Sequence, residues 1–272
     1  MSAARWLGRA VKAIGLLHRP TAVRLAHFGF AHPFKGRLIA TRLPEWMQQA
    51  QGFRFASGQL SIQAYYWPAA GPTVLLAHGW ESNSSRWEAW VDALQQAGLA
   101  VVCIDAPAHG LSNGALFAVP DYAQALQDVC KQFAPQYVVG HSMGAFAAFC
   151  ALQQPLSIRK AVGLGAPAAM TDLLEAYVHT TGLGPDWQQK LQNYWASHFQ
   201  IDASAFGPEF WLPHLQLPVL LGHDLDDQIV SRAAFERLCA ARPSAQTLTT
   251  QGLGHSQQSP EVIRQVLAFI QD

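Results

Sequence analysis

Ser142 is placed where a serine could act as a nucleophile. It is the central residue of a G-x-S-x-G pattern (140–144), preceded by the apolar run 137–139 and followed by the small and apolar run 145–150. The pattern predicts a buried strand that turns into a helix at the serine, which forces Ser142 into a strained backbone conformation. Its hydroxyl would then lie at a helix N-terminus, where the backbone N–H of Met143 can stabilise an oxyanion.

A nucleophilic serine needs a base, and the base needs an acid that orients it. His255 lies in a glycine-flanked loop after the last predicted strand and is the best placed of the eleven histidines. We expect Asp227, just past another strand end, to hold the imidazole. Asp224 and Asp226 are the rival acids, with turn capping as their expected role. The chemical residues therefore follow the chain order Ser142, Asp227, His255.

The loop after the predicted strand 73–78 supplies a second oxyanion donor. Gly79 would allow close approach of the backbone, and the N–H of Trp80 would donate. Because that donor belongs to the main chain, we expect the Trp80 side chain to form a pocket wall. His141 is next to the serine, but neighbours on such a turn point apart, so we expect a structural role for it and not that of the base.

Strands and helices alternate along most of the chain. A hairpin (52–67) is followed by βα units, in which Ser85-Arg86-Trp87-Glu88 predicts a capping box that opens a helix to Ala97. This alternation predicts a mostly parallel sheet with helices on both faces. Residues 167–215 interrupt it with two predicted helices (172–180 and 186–200) and an aromatic segment.

Large aromatic side chains are concentrated in that interruption. Two interpretations are open: they line an apolar acyl or aryl pocket, or they pack the inserted helices together. The pocket interpretation predicts these lining residues: Trp80, His141, Tyr177, Trp187 and Trp195.

Four segments make the sequence resemble the α/β-hydrolase superfamily over residues 52–271. They are His78-Gly79-Trp80, the D-x-P-x-H-G-x-S segment 105–112, the pattern 140–144 and the pair Asp227/His255. The resemblance implies an α/β-hydrolase fold, with a mostly parallel twisted sheet, helices on both faces and a small helical cap inserted after the sixth strand. It implies that Asp105 and His109 shape a turn. The domains would be a basic arm (1–50), a core (51–166 and 216–272) and the cap (167–215).

The resemblance also implies an esterase-like or lipase-like serine hydrolase, which would cleave an apolar carboxylic ester or thioester. An acyltransferase, a C–C hydrolase or an amidase could use the same triad, because fold and triad do not separate these activities. A non-catalytic ligand-binding member of the fold is a third hypothesis, but it would need a broken triad. Dehalogenase and epoxide hydrolase chemistry is disfavoured, since it requires a carboxylate in place of Ser142.

Charge is distributed unevenly along a chain of zero formal net charge. Residues 1–50 contain eight Lys and Arg but one acid, Glu45. Within 5–17, helical spacing puts apolar residues on one side and basic residues on the other: Trp6, Ala10, Val11, Ile14 and Leu17 against Arg5, Arg9 and Lys12. Residues 5–19 would contact an anionic membrane surface, or the helix would dock on its own domain. The docked helix is favoured, because short basic amphipathic helices are common.

The remaining composition predicts neither a cofactor nor a metal. The four cysteines (Cys103, Cys130, Cys150 and Cys239) are widely separated, which predicts reduced core residues and a cytoplasmic location. No paired-cysteine, H-E-x-x-H or phosphate-cradling motif occurs, so neither metal nor nucleotide is implied, and no nucleic-acid partner is expected. Lys12 interrupts the single stretch that resembles a secretory signal.

Overall fold

A single eight-stranded sheet organises the chain. The computed structural model describes residues 2–272. The strands are β1 (Gln51–Ser57), β2 (Leu60–Trp67), β3 (Thr73–Ala77), β4 (Ala100–Ile104), β5 (Tyr137–His141), β6 (Lys160–Leu164), β7 (Val219–Asp224) and β8 (Gln246–Thr250). β1 and β2 form the predicted antiparallel hairpin, β2 pairs antiparallel with β4, and all other pairs are parallel.

The strand order is β1-β2-β4-β3-β5-β6-β7-β8. The chain therefore moves outward from β3 to β4 and then crosses back to β5 on the other side of β3. Loops after β3 and β5 diverge at this reversal and leave a crevice at the carboxyl edge of the sheet. The loop 78–80 and Ser142 both begin at that crevice.

Helices cover both faces of the sheet. They are α1 (Ala3–Leu17), α2 (Arg19–Ala31), α3 (Glu45–Gln48), α4 (Glu88–Gln96), α5 (Val119–Phe133), α6 (Met143–Ala151), α7 (Met170–Thr181), α8 (Asp186–Phe199), α9 (Pro208–Trp211), α10 (Arg232–Ala241) and α11 (Pro260–Gln271). Leu75 and Ala77 of β3 face the core that contains α5 and α6, while Val74 and Leu76 face the core that contains α4 and α11. A strand buried on both sides is expected where helices cover a parallel sheet.

The predicted helical cap follows β6 and includes α7, α8 and α9. The sequence prediction missed α2, whose first turn His18 caps by accepting from the Thr21 N–H at 3.3 Å. α1 and α2 form a hairpin, in which α1 packs against α7 and α2 packs against α8. The N-terminal segment is thus part of the packed structure and contacts the cap.

The predicted capping box at Ser85 is wrong. Residues Ser84–Trp87 form a 3₁₀ turn, and the side chain of Asn83 caps it by accepting from the Ser85 N–H at 2.9 Å. The N–H of Ser84 donates instead to the buried carboxylate of Asp105 at 2.9 Å. α4 begins only at Glu88, so Arg86 belongs to the 3₁₀ turn before the helix.

The structure also bears on two composition-based expectations. All four cysteines are free, with Cys103 and Cys130 buried. Across residues 2–272, none of the helices combines the length and the apolar character needed to cross a bilayer.

Candidate active site

Ser142 lies at a sharp turn between β5 and α6. Its backbone has φ 54° and ψ −122°, which is the strained conformation that the sequence predicted. The flanking glycines allow the turn to pack: a Cβ on Gly144 would lie 2.1 Å from the Ala77 carbonyl oxygen, and one on Gly140 would lie 2.4 Å from the Ala145 Cα. The serine is therefore held at the N-terminus of α6 by close backbone packing.

The predicted base and acid lie in line with the serine. His255 Nε2 is 3.0 Å from Ser142 Oγ, and His255 Nδ1 is 2.8 Å from Asp227 Oδ2. The other carboxylate oxygen of Asp227 accepts the N–H groups of Ile229 (2.8 Å) and Val230 (3.0 Å). A carboxylate only accepts, so Nδ1 carries the proton and Nε2 is left to accept the serine proton.

The rival acids organise the neighbouring turns. Asp224 accepts from the Thr250 hydroxyl at 2.7 Å and from the N–H groups of Leu253 and Gly254 at 3.0 Å. Burial acts to raise the pKa of Asp224, but these hydrogen bonds outweigh it and lower the pKa. Asp226 accepts from the backbone N–H of residue 252 at 3.0 Å. Both carboxylates therefore fix the loop that carries the histidine, as expected of turn-capping residues.

Two backbone N–H groups beside Ser142 have no protein acceptor among residues 2–272: those of Trp80 and Met143. Gly79 is in close contact with the serine, since a Cβ there would lie 2.9 Å from Ser142 Cβ. His78 fixes this loop by accepting from the Ala106 N–H at 2.9 Å. Burial, followed by the proximity of another histidine, lowers the pKa of His78 well below its usual range, so its ring is neutral.

A half-buried arginine that the sequence analysis did not select contacts the histidine loop. Arg86 donates to His141 Nδ1, so His141 Nε2 carries the proton and donates to the His255 carbonyl oxygen at 2.7 Å. Arg86 also donates to the Ser256 carbonyl oxygen at 3.1 Å, and the Gln258 amide donates to the Arg86 carbonyl at 2.7 Å. Burial and then the nearby guanidinium lower the pKa of His141 well below its usual range. These contacts tie the loop that carries His255 to the turn before α4.

The D-x-P-x-H-G-x-S segment has the expected structural role. Asp105 accepts from the N–H groups of Ser84 (2.9 Å) and Leu111 (2.8 Å) and from the Tyr65 hydroxyl (3.0 Å). His109 Nε2 accepts from the Glu81 N–H at 3.0 Å. Together they hold the turn that borders the loop 78–80.

A cavity of about 930 Å³ opens beside Ser142, between the sheet edge, α2 and the cap. Its apolar lining includes Phe30, Phe117, Val119, Met143, Met170 and Trp195. Its lining also includes charged and polar side chains, among them His27, Asp172, Glu175, His179 and Arg237. This size and composition match an organic ligand with a large apolar part.

Three of the five predicted pocket residues line this cavity: Trp80, Tyr177 and Trp195. The prediction is wrong for His141, whose ring is turned toward Arg86. It is also wrong for Trp187, which packs under Gly15 of α1, where a Cβ would lie 3.4 Å from the indole. Trp187 instead borders a separate groove between the N-terminal hairpin and the cap. α2, which the sequence prediction missed, contributes His27, Gly29 and Phe30 to the cavity lining.

Within residues 2–272, groups of three or more His, Cys, Asp or Glu side chains placed to hold a metal ion do not occur.

Comparisons with known proteins agree with this architecture. A family model described as the alpha/beta hydrolase fold matches residues 72–190. A monoglyceride lipase homolog of Monkeypox virus is 29% identical over 96 residues, covering 31% of this chain and 35% of that protein. An uncharacterized abhydrolase domain-containing protein of Dictyostelium discoideum is 24% identical over 217 residues, covering 63% of this chain and 22% of that protein. The chain thus spans well under two thirds of these relatives.

Solved structures resemble the chain over most of its length. An esterase from Pyrococcus furiosus superposes with a TM-score of 0.66 at 18% identity, covering 88% of this chain and 97% of the esterase. Mouse alpha/beta hydrolase domain-containing protein 10 superposes with a TM-score of 0.64 at 19% identity, covering 82% of this chain and 98% of the mouse protein. The thioesterase domain from the curacin biosynthetic pathway superposes with a TM-score of 0.61 at 16% identity, covering 82% of this chain and 99% of that domain. With its sheet topology and these structural neighbours, the chain has the α/β-hydrolase fold.

Proposed function

We propose that the protein is a serine hydrolase that cleaves apolar carboxylic esters or thioesters through a covalent acyl-enzyme. The observation that carries the proposal is the continuous relay from Ser142 Oγ through His255 to Asp227, with donor–acceptor distances of 3.0 and 2.8 Å. An isolated serine would not be nucleophilic at neutral pH, whereas one bonded to a correctly protonated imidazole is.

In the acylation step, Ser142 Oγ attacks the ester carbonyl while His255 Nε2 takes its proton. The negative charge that develops on the carbonyl oxygen is stabilised by the N–H groups of Trp80 and Met143. His255 then gives the proton to the leaving alcohol or thiol, and the C–O or C–S bond breaks. Asp227 stabilises the imidazolium that exists between the two proton transfers.

In the deacylation step, water replaces the leaving group. His255 removes a proton from the water as it attacks the acyl-enzyme, and the same two N–H groups hold the second oxyanion. Collapse of this intermediate returns the proton to Ser142 and releases the carboxylic acid.

The cavity supports an apolar acyl group as the recognised part of the substrate. Many of its lining side chains are aromatic or aliphatic, and an acyl chain packed against them would leave contact with water. The similar proteins include an esterase and a monoglyceride lipase homolog, which agrees with an ester substrate.

The test is turnover of p-nitrophenyl esters from acetate to palmitate by the wild-type protein and by Ser142→Ala. We expect release of p-nitrophenol to fall to background in the variant, while circular dichroism and thermal melting are unchanged. Ser197→Ala, which removes an exposed hydroxyl on α8, is the matched control and should retain full activity. Undiminished turnover by Ser142→Ala would overturn the proposal. Preferential transfer of the acyl group to added glycerol would assign an acyltransferase instead.

A further inference from the structure

Exposed large apolar side chains are concentrated near the N-terminus. Six of the nine among residues 2–272 lie between positions 6 and 39: Trp6, Leu16, Leu17, Phe28, Phe34 and Ile39. Scattered exposed apolar residues are normal on a protein surface, but a local concentration marks an interaction site. The N-terminal hairpin therefore carries more apolar surface than its own packing uses.

One face of α1 packs against the protein, and the opposite face is exposed. Gly8 and Val11 are buried where the helix packs against α2 and α7. On the outer side, Trp6 is 61% exposed, Leu16 89% and Leu17 90%. The sequence analysis placed Trp6 and Leu17 on the same docked face as Val11, and the structure corrects this. The helix is docked as favoured, yet its outer face has an exposed apolar stripe, formed by Trp6, Leu16 and Leu17.

Basic residues border this stripe. Arg5, Arg9 and Lys12 are exposed on α1, and the guanidinium of Arg9 lies over the Trp6 ring at 5.7 Å. Arg19 follows at the hairpin turn, and the sequence contains no acid before Glu45.

The acids that the cap brings near this stripe are few. Asp186 of α8 lies near Lys12, and an ion pair with Lys190 already occupies it. Glu175 of α7 lines the catalytic cavity. The outer face of the hairpin is therefore positively charged around an apolar centre.

We propose that the α1–α2 hairpin docks on an anionic phospholipid surface, with α1 lying in the plane of the interface. The 15 residues of α1 give it a length of about 22 Å, and its apolar stripe would enter the headgroup boundary while the cations contact lipid phosphates. Charge complementarity favours a lipid surface over a second copy of this chain, because two such hairpins would repel each other. This inference does not depend on the proposed enzymatic activity.

The same hairpin connects the surface to the catalytic cavity. Phe30 and His32, at the end of α2, line the cavity, and the Tyr177 hydroxyl ties α7 to the Ala26 carbonyl oxygen at 2.8 Å. Docking would thus hold one wall of the cavity against the lipid phase.

The test is flotation of the full-length protein with vesicles of phosphatidylcholine alone or with 30 mol% phosphatidylglycerol. We expect binding to the anionic vesicles only, and release by about 0.5 M NaCl, because salt screens exposed charges. Each cation near an anionic membrane raises the affinity about fivefold. The double variant Arg9→Glu/Lys12→Glu removes two of them, so binding to the anionic vesicles should weaken at least 25-fold. Arg159→Glu/Arg264→Glu, with the same change in net charge on other surfaces, is the matched control and should bind like the wild type.

The apolar contribution is tested by Trp6→Ser/Leu17→Ser against Phe210→Ser/Leu225→Ser, which removes exposed apolar side chains outside the hairpin. We expect the first pair to weaken binding at least tenfold and the second to leave it unchanged. Equal flotation by both pairs, or absence of binding by the wild type, would overturn the proposal. So would sedimentation velocity that shows a dimer abolished by Trp6→Ser/Leu17→Ser, since a second copy would then occupy the stripe.

Discussion

Replacing Asp227 with asparagine should change which nitrogen of His255 carries the proton. In the wild type, Asp227 Oδ2 accepts from His255 Nδ1 at 2.8 Å while Oδ1 accepts two backbone N–H groups. In Asp227→Asn those two N–H groups retain the amide oxygen as their acceptor, so the amide nitrogen faces the imidazole and donates to Nδ1. The imidazole proton then moves to Nε2, which can no longer accept from Ser142. We expect kcat to fall about 10⁴-fold, equivalent to about 5.5 kcal/mol of barrier.

The assay is hydrolysis of p-nitrophenyl butyrate, with kcat and KM measured separately and folding checked by thermal melting. KM should change little, because Asp227 lies behind the histidine and its side chain is fully buried. Asp226→Asn is the matched control: its amide oxygen can still accept from the N–H of residue 252, and we expect activity within threefold of the wild type. A loss smaller than tenfold in Asp227→Asn, together with a severe loss in Asp226→Asn, would refute this assignment of the acid.

Three further predictions concern the surroundings of the relay. Arg86→Met should lower kcat about 100-fold without a matching rise in KM, because the His255 loop loses the hydrogen bonds that the guanidinium donates. Arg86→Lys should restore part of the lost kcat. An unchanged kcat in Arg86→Met would contradict this positioning role. Gly79→Ala should lower kcat 10²–10³-fold by displacing an oxyanion donor, since its Cβ would lie 2.9 Å from Ser142 Cβ, whereas full activity would remove the loop 78–80 from the site. Burial lowers the pKa of His27 and of His109 to about 4, so the unfolded chain binds more protons between that value and about 6.5. The stabilisation from these neutral histidines should therefore be complete above about pH 6.5, and the free energy of unfolding should fall by at most about 3 kcal/mol per histidine as the pH drops toward 4. Urea titrations at several pH values should show a smaller dependence of this free energy on pH in His27→Gln than in the wild type. An equal pH dependence in the two proteins would exclude His27 as a source.

The architecture of the sheet could be predicted from the sequence because its determinants are local. Apolar runs such as 137–139 can only be buried strands, and the small residues around Ser142 permit only a tight strand-to-helix turn. Parallel strands bring their carboxyl ends to one edge of the sheet. The strand order alone therefore predicts that residues 142, 227 and 255, which follow strand ends, lie close together.

The parts that could not be predicted depend on contacts between distant segments. Arg86 was interpreted as part of a helix cap, and nothing in its neighbours indicates that it turns inward to His141. α2 has weak amphipathic character, because α1 and the cap cover two sides of it while both Arg24 and the apolar Phe28 stay exposed. Trp187 was assigned to the pocket by residue type alone, and its position was decided by the packing of α1.

Covalent labelling tests the central claim most directly. The full-length protein would be incubated with a fluorophosphonate probe at pH 7.5, and the modified residue would be identified by mass spectrometry. We expect one phosphonyl group per chain, attached to Ser142, with labelling abolished in Ser142→Ala and strongly slowed in Asp227→Asn. Absence of labelling in the folded wild-type protein, or stoichiometric labelling at another serine, would contradict the account.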